Sequence, residues 1–220
     1  MSDKISVLKE DQSPYPEIEK RYLAFMHDIC VRLRYIDLYI TKHPPQANFR
    51  KIWLESMCLQ LRMICENIAM ATLVANYKDY NYRKKDIGSF YQPHAIKEML
   101  SYINPNHYPL PFVVGANFEE KKKRAVEKKD FSLSHDELLQ LWVDTSEILH
   151  CRNPFKKTPQ KMFSEESIIK YCGRIRYFIA MHVVVLKNFE NKGFLVTVDI
   201  FTHKDHRMNY INNINLITSI

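Results

Sequence analysis

Apolar residues recur at steps of three and four along most of this chain, and this period constrains the fold more than any other feature. The first stripe predicts an amphipathic helix over about residues 16–42. It consists of Ile18, Tyr22, Phe25, Ile29, Leu33, Ile36 and Ile40. His43, Pro44 and Pro45 follow, and the helix ends there because a residue before proline is pushed out of the helical region.

Four further helices are predicted, over about 48–77, 93–103, 135–151 and 165–190. The stretch 59–75 is apolar nearly all round, which is typical of a central, buried helix. Ser134 and Glu137 have the spacing of a capping box. The fifth helix carries a regular bundle seam of Ile168, Cys172, Ile175, Ile179, His182, Leu186 and Phe189.

Beyond Gly193 the apolar period changes to two, which is the period of a β-strand. One alternating run covers Phe194 to Ile200 and a second covers Met208 to Leu216, so a β-hairpin packed on the helices is expected. The predicted fold is therefore mainly α, a bundle of about five helices with a C-terminal β-hairpin. We expect a tail over 1–14, the bundle over 15–192, the hairpin over 193–220, and no strand before residue 190.

Composition excludes several classes of enzyme and predicts a compartment. The four glycines are dispersed, so the glycine-rich phosphate loop, the dinucleotide fingerprint and the nucleophile elbow are absent. The five cysteines form no C-x-x-C pair, and most lie in apolar stretches, as free thiols of a reducing cytoplasm do. A polar N-terminal segment and short apolar runs predict a cytoplasmic protein with no signal peptide and no membrane partner.

The formal net charge is +7, which suits a polyanion such as nucleic acid and equally suits plain solubility. A charge run lies over 117–131, where six basic residues are set against four acidic ones, after a proline-punctuated segment over 104–117. This run is either a solvated helix or linker, or a nucleic-acid contact. Its candidate binding residues are Lys121, Lys122, Lys123 and Arg124.

Arg62 and Glu66 are the first candidates for chemistry. They are four residues apart in the apolar second helix, so they share one of its faces. Two charges embedded in an apolar helix must be paired or hydrogen-bonded. They form either a buried ion pair that fixes helix register, or a polar pocket in which Arg62 anchors a phosphate.

The second candidates lie where the fourth helix ends, at His150, Arg152 and Asn153, just before Pro154. One interpretation is simple capping, with a cation near the last carbonyls and proline as the stop. The other is a phosphate site, because these side chains can point away from the helix axis. His182 is interpreted as a hydrogen-bonded core residue. His203 and His206 are too few to hold a metal, and no metal or cofactor is expected.

The combination of these features resembles the HEPN (higher eukaryote and prokaryote nucleotide-binding) superfamily. The features are the Arg62-x-x-x-Glu66 pair in an apolar helix and the later Leu149-His150-x-Arg152-Asn153-Pro154-Phe155 sequence. The resemblance covers about residues 48–190. It departs from the usual signature, an arginine followed by a histidine four to six residues on, because positions 157–159 are Lys157, Thr158 and Pro159.

The resemblance implies a helical, often dimeric protein of a bacterial toxin–antitoxin or phage-defence system. It further implies a metal-independent ribonuclease with a variant site. In that site His150 is the acid or base, Arg152 and Arg62 contact phosphate, and Asn153 and Glu66 orient these groups. The expected partners are RNA or another nucleic acid, a protein of the same system, and a second copy of the chain. The alternative is a non-catalytic scaffold or regulatory subunit.

Overall fold

The computed structural model describes residues 16–42, 46–76, 93–111, 133–150, 155, 163–185, 193–198 and 212–217. Five α-helices occupy most of this described part, which confirms the mainly α bundle. They are α1 (Pro16–Lys42), α2 (Arg50–Ala75), α3 (Pro93–Ile103), α4 (His135–Leu149) and α5 (Glu165–Ala180). A single 3-10 turn, Ala47–Phe49, leads into α2.

The helix ends follow from local sequence. Proline occupies the first position of α1 and of α3, where its missing N–H is not needed. The predicted capping box is confirmed at α4, where Ser134 Oγ accepts from the Glu137 amide and the Glu137 carboxylate accepts from the Ser134 amide. Arg174 of α5 donates to both oxygens of Glu137 at 2.8 Å, so the start of α4 is also tied to α5.

The core lies around α2, which packs against α1 on one side and α4 on another. Its enclosed residues include Met57, Leu61, Ile64 and Ile68, each no more than 1% exposed. The predicted α1 stripe is confirmed by the burial of Tyr22, Ile29, Leu33 and Ile36. Ala47–Ala75 is long and apolar enough to cross a membrane by length and composition, and half of its most apolar window is buried inside the protein.

A four-stranded antiparallel sheet closes the bundle, in the order β1 (Leu110–Pro111), β2 (Met181–Val185), β3 (Gly193–Val198) and β4 (Asn212–Ile217). Leu110 pairs with Val183, Val183 with Leu195, and Leu195 with Asn215. The β3–β4 pair confirms the C-terminal hairpin.

The expectation of no strand before residue 190 is wrong, because β1 and β2 precede it. The fifth helix ends at Ala180 instead of residue 190. The sequence from Met181 to Val185 reads MHVVV, and consecutive β-branched valines favour extended backbone. An unbroken apolar run fits a helix seam and a buried strand equally well, so periodicity could not separate them. In β1, Pro111 is tolerated because it lies in an edge strand.

A buried asparagine joins the end of α3 to the end of α2 and to the sheet. Asn104 Nδ2 donates to Asn76 Oδ1 and to the Val185 carbonyl, both at 2.9 Å. Its own carbonyl accepts from His107 Nδ1 at 2.8 Å. Asn104 and Asn76 are 3% and 2% exposed, so this junction is satisfied by protein groups rather than by bulk water.

Candidate functional site

Arg62 and Glu66 form an ion pair along α2. Arg62 Nε donates to Glu66 Oε1 at 3.0 Å, which confirms that the two residues contact each other. Their side chains are 34% and 27% exposed, so the prediction that they are largely buried is wrong. The physical reason is that apolar residues also occupy the solvent-facing side of α2, where Leu59 is 42% exposed. Apolar neighbours along the sequence therefore did not mean that Arg62 and Glu66 are enclosed by other parts of the protein.

The opposite polar residues of α2, Gln60 and Asn67, bind α1. Asp28 Oδ2 accepts from Arg32 Nε at 2.8 Å and from Asn67 Nδ2 at 2.5 Å. Arg32 Nη1 donates to Gln60 Oε1 at 2.8 Å. These four residues fix the register of α1 against α2, which is one of the two roles that the sequence suggested for Arg62 and Glu66.

His150 lies just beyond α4, not in its last turn as predicted. It caps the helix with an extended backbone, at φ −86° and ψ 143°, and its side chain is exposed. It therefore begins the segment that joins α4 to α5. Arg152 and Asn153 lie outside the described residues, as do Lys121, Lys122, Lys123 and Arg124 and the histidines at 203 and 206. Their predicted roles stay predictions.

Phe155 is the one described residue within the segment 151–162, and it is 89% exposed. Singly exposed apolar residues are common on protein surfaces, so what distinguishes Phe155 is its cationic neighbours along the chain. Those neighbours in sequence are Arg152, Lys156, Lys157 and Lys161. In the sequence Phe155 is only one member of a motif, and no pattern there indicates that its ring is exposed.

His182 is a core residue, as interpreted, although it lies in β2 and not in a helix. It is 1% exposed, and its Nε2 lies 2.7 Å from the Tyr22 hydroxyl. Its Nδ1 lies 3.1 Å from the Ile179 carbonyl, and because a carbonyl only accepts, Nδ1 carries the proton and Nε2 accepts from Tyr22. Burial lowers the pKa of His182 to about 4, so the ring is neutral and structural.

Two further histidines, His107 and His135, lie beside a small cavity between α2, α3 and α4. The rings of His107 and His135 meet edge to face at 4.9 Å, and Tyr108 stacks on His135 at 4.7 Å. The pKa of His135 is lowered to about 4 by burial first and then by His107 and Lys97, and burial also lowers the pKa of His107. The cavity holds about one water. Its lining comprises Ile68, Ala69, Thr72, Ile96, Lys97, Leu100, His107, Tyr108, His135, Leu138, Leu139 and Trp142.

One ring nitrogen of this cluster lacks a hydrogen-bond partner within the described residues. His107 Nδ1 donates to the Asn104 carbonyl, which leaves Nε2 as a buried acceptor with no partner among the described residues. At the rim, Lys97 forms an ion pair with Asp136, and this ion pair lowers the pKa of the Asp136 carboxyl. Within the described ranges no group of three or more His, Cys, Asp or Glu side chains could hold a metal ion. A water fits this site better than a cofactor does.

The described cysteines are buried thiols that form no disulfide, as expected of cysteines used as small apolar residues. They are Cys30, Cys58, Cys65 and Cys172. Burial raises the pKa of Cys58 and of Cys172 to about 12, so these thiols are unreactive near neutral pH.

Comparison of the chain with protein-family models, with curated proteins and with solved structures finds no significant match.

Proposed function

We propose that this is a HEPN-like helical protein of a bacterial defence or toxin–antitoxin system that binds RNA through the segment joining α4 to α5. The observation that carries the proposal is the 89% exposure of Phe155 within a sequence rich in lysine and arginine. Single-stranded RNA is bound by such pairings, because unstacked bases stack on exposed aromatic rings while neighbouring cations contact phosphates. The net charge of +7 supports a polyanionic partner.

His150 extends the proposal to metal-independent RNA cleavage. It is exposed at the first residue of the segment, two residues before Arg152 and three before Asn153. In this scheme the imidazole takes the proton of a ribose 2′-hydroxyl as its oxygen attacks phosphorus. The imidazolium then gives that proton to the 5′-oxygen as its bond to phosphorus breaks, which leaves a 2′,3′-cyclic phosphate, while Arg152 stabilises the phosphorane charge and Asn153 orients the phosphate.

The second candidate is a non-catalytic scaffold or regulatory subunit. It is favoured by the Arg62–Glu66 ion pair, in which the guanidinium is already bound by a carboxylate of its own helix and is not held open for a phosphate. In this alternative the α4–α5 segment still binds RNA, and the charge run over 117–131 contacts a partner protein or nucleic acid.

The test is binding and cleavage of a labelled, mixed-sequence single-stranded RNA by the purified protein in EDTA. Loss of one stacked base costs about 1–3 kcal/mol, so Phe155→Ala should weaken binding roughly 5- to 150-fold. Tyr102→Ala is the matched control, since Tyr102 is an aromatic residue of α3 that is 71% exposed and has no lysine or arginine within four residues in sequence. Arg152→Ala should reduce the slope of log affinity against log salt by about 0.7.

Cleavage separates the two candidates. Cleavage in EDTA that His150→Ala abolishes, with RNA binding retained, supports the ribonuclease. Binding that depends on Phe155 without any cleavage supports the non-catalytic subunit. If the parent does not bind RNA, or if Phe155→Ala and Tyr102→Ala bind it equally, the proposal fails.

A further inference from the structure

The solvent-facing side of α2 combines exposed apolar residues with an ordered row of charges. We call it the α2 face, and it comprises Lys51, Ile52, Glu55, Leu59, Arg62, Met63 and Glu66. Ile52 is 60% exposed and Leu59 is 42% exposed. Neither of these positions lies in the packing of α2 against α1 and α4, so the face is apolar surface that the described core does not use.

The charges of the α2 face form two ion pairs that repeat the same order. Lys51 pairs with Glu55 at 3.7 Å, and Arg62 pairs with Glu66 at 3.0 Å. Along the chain the signs are therefore plus, minus, an apolar centre at Leu59, then plus, minus. Read in the reverse direction, this row presents the opposite sign at every position.

Helical geometry places these residues on two edges of one surface. At 100° per residue, the four charges lie between about 20° and 80° to one side of Leu59, while Ile52 and Met63 lie about 20–40° to the other side. The α2 face thus has a charged edge and an apolar edge, both running along about 22 Å of helix at 1.5 Å per residue.

We propose that the α2 face binds a second copy of this chain, with the two α2 helices antiparallel about a two-fold axis between Cys58 and Leu59. This axis places Lys51 opposite Glu66 of the partner subunit, and Glu55 opposite Arg62 of the partner subunit. Both pairs are symmetric in sequence about that point. An antiparallel two-fold also brings like edges together, so the apolar edges pack on each other.

A parallel pairing of the two α2 helices does not match like edges. Its two-fold axis runs along the helices, so the charged edge of one copy lies on the apolar edge of the other. It would strand half-buried charges on Ile52 and Leu59, an arrangement that costs affinity. The charge order therefore selects the antiparallel register. This inference depends on the α2 face alone, so a failure of the proposed RNA binding would not affect it.

The test is a charge swap across the proposed interface. Sedimentation velocity measures the fraction of dimer at protein concentrations up to about 100 µM, since association depends on concentration. Arg62→Glu places glutamate opposite Glu55 of the partner subunit, and Glu55→Arg places arginine opposite Arg62 of the partner subunit. Each variant alone should dimerise at least about tenfold more weakly than the parent, because like charges meet twice across the axis.

Mixing the two variants provides the decisive measurement. A heterodimer of Arg62→Glu with Glu55→Arg restores an opposite pair at both contacts, so the mixture should dimerise about as well as the parent. Leu59→Glu, which brings two carboxylates together near the axis, should be monomeric alone and in every mixture. Lys170→Glu and Glu166→Arg are matched charge reversals on exposed positions of α5 and should leave the dimer unchanged.

Circular dichroism of each variant verifies that it is folded, and the heterodimer result does not require either single variant to dimerise. A parent that is monomeric at about 100 µM overturns the proposal. A parent dimer that resists both Leu59→Glu and the single charge reversals overturns it as well, because its interface then lies elsewhere. A mixture that does not dimerise overturns the antiparallel register.

Discussion

The α2 face and the His107–His135 cluster both place ionisable residues on or beside the same apolar helix, but they differ in how deeply those residues are buried. On the α2 face Glu55, Arg62 and Glu66 are about one-third exposed and Lys51 is 69% exposed, and these four charges pair with each other along the helix. In the cluster, burial lowers the pKa of both imidazoles and keeps them neutral. Burial, and not the composition of the local sequence, therefore separates the partly exposed ion pairs of the α2 face from the neutral histidines of the cluster.

The sharpest test of this contrast compares two aliphatic truncations on α2. Ile64 is 0% exposed and Leu59 is 42% exposed. Ile64→Ala should lower the free energy of unfolding by about 2–5 kcal/mol, because it removes packed atoms and leaves a cavity. Leu59→Ala should lower it by less than about 1 kcal/mol, because its side chain is already partly hydrated. Urea unfolding at low protein concentration measures the free energy of unfolding of both variants. Equal decreases would contradict the assignment of Ile64 to the core side of α2 and Leu59 to its solvent-facing side.

The second prediction concerns the junction at the far end of α2. Asn104→Leu removes the donor to Asn76 and to the Val185 carbonyl and puts an apolar side chain among buried polar atoms. Each stranded group costs about 1–3 kcal/mol, so the free energy of unfolding should fall by about 2–4 kcal/mol. Asn106→Leu is the matched control, since that side chain is exposed and its loss should change stability little. An Asn104→Leu variant as stable as the control would show that the junction is dispensable.

The third prediction is loss of stability in mild acid. A histidine in an unfolded chain has a pKa of about 6.5, whereas the pKa values of His135 and His182 are lowered to about 4 in the folded protein. Between these pH values the unfolded chain binds more protons, so the free energy of unfolding should decrease as the pH falls from about 6.5 towards 4. His182→Gln keeps a polar side chain but does not titrate, so its stability should depend less steeply on pH. Parallel curves for the parent and His182→Gln would contradict the low pKa.

The same contrast explains which parts of the molecule the sequence could predict. The α1 stripe and the Ser134–Glu137 capping box are local patterns, and both were predicted correctly. β2 was missed because MHVVV satisfies a helix seam and a strand alike. The His107–His135 cluster was missed because its members come from separate segments, and only the packing of α3 against α4 brings them together. The burial of Arg62 was overestimated because sequence reports neighbours along a helix and not its neighbours in space.

The smallest expected effect is that of Arg62→Ala. A fully buried ion pair would lose about 3–5 kcal/mol when one partner is removed. Because Arg62 and Glu66 are 34% and 27% exposed, water can solvate the remaining carboxylate, and the free energy of unfolding should fall by no more than about 1 kcal/mol. The measurement must be made at a concentration at which the parent is monomeric, because dimerisation would add its own concentration-dependent stability. Under that condition a loss near that of Ile64→Ala would place Arg62 in the core. A small loss that grows with protein concentration would place it in the interface.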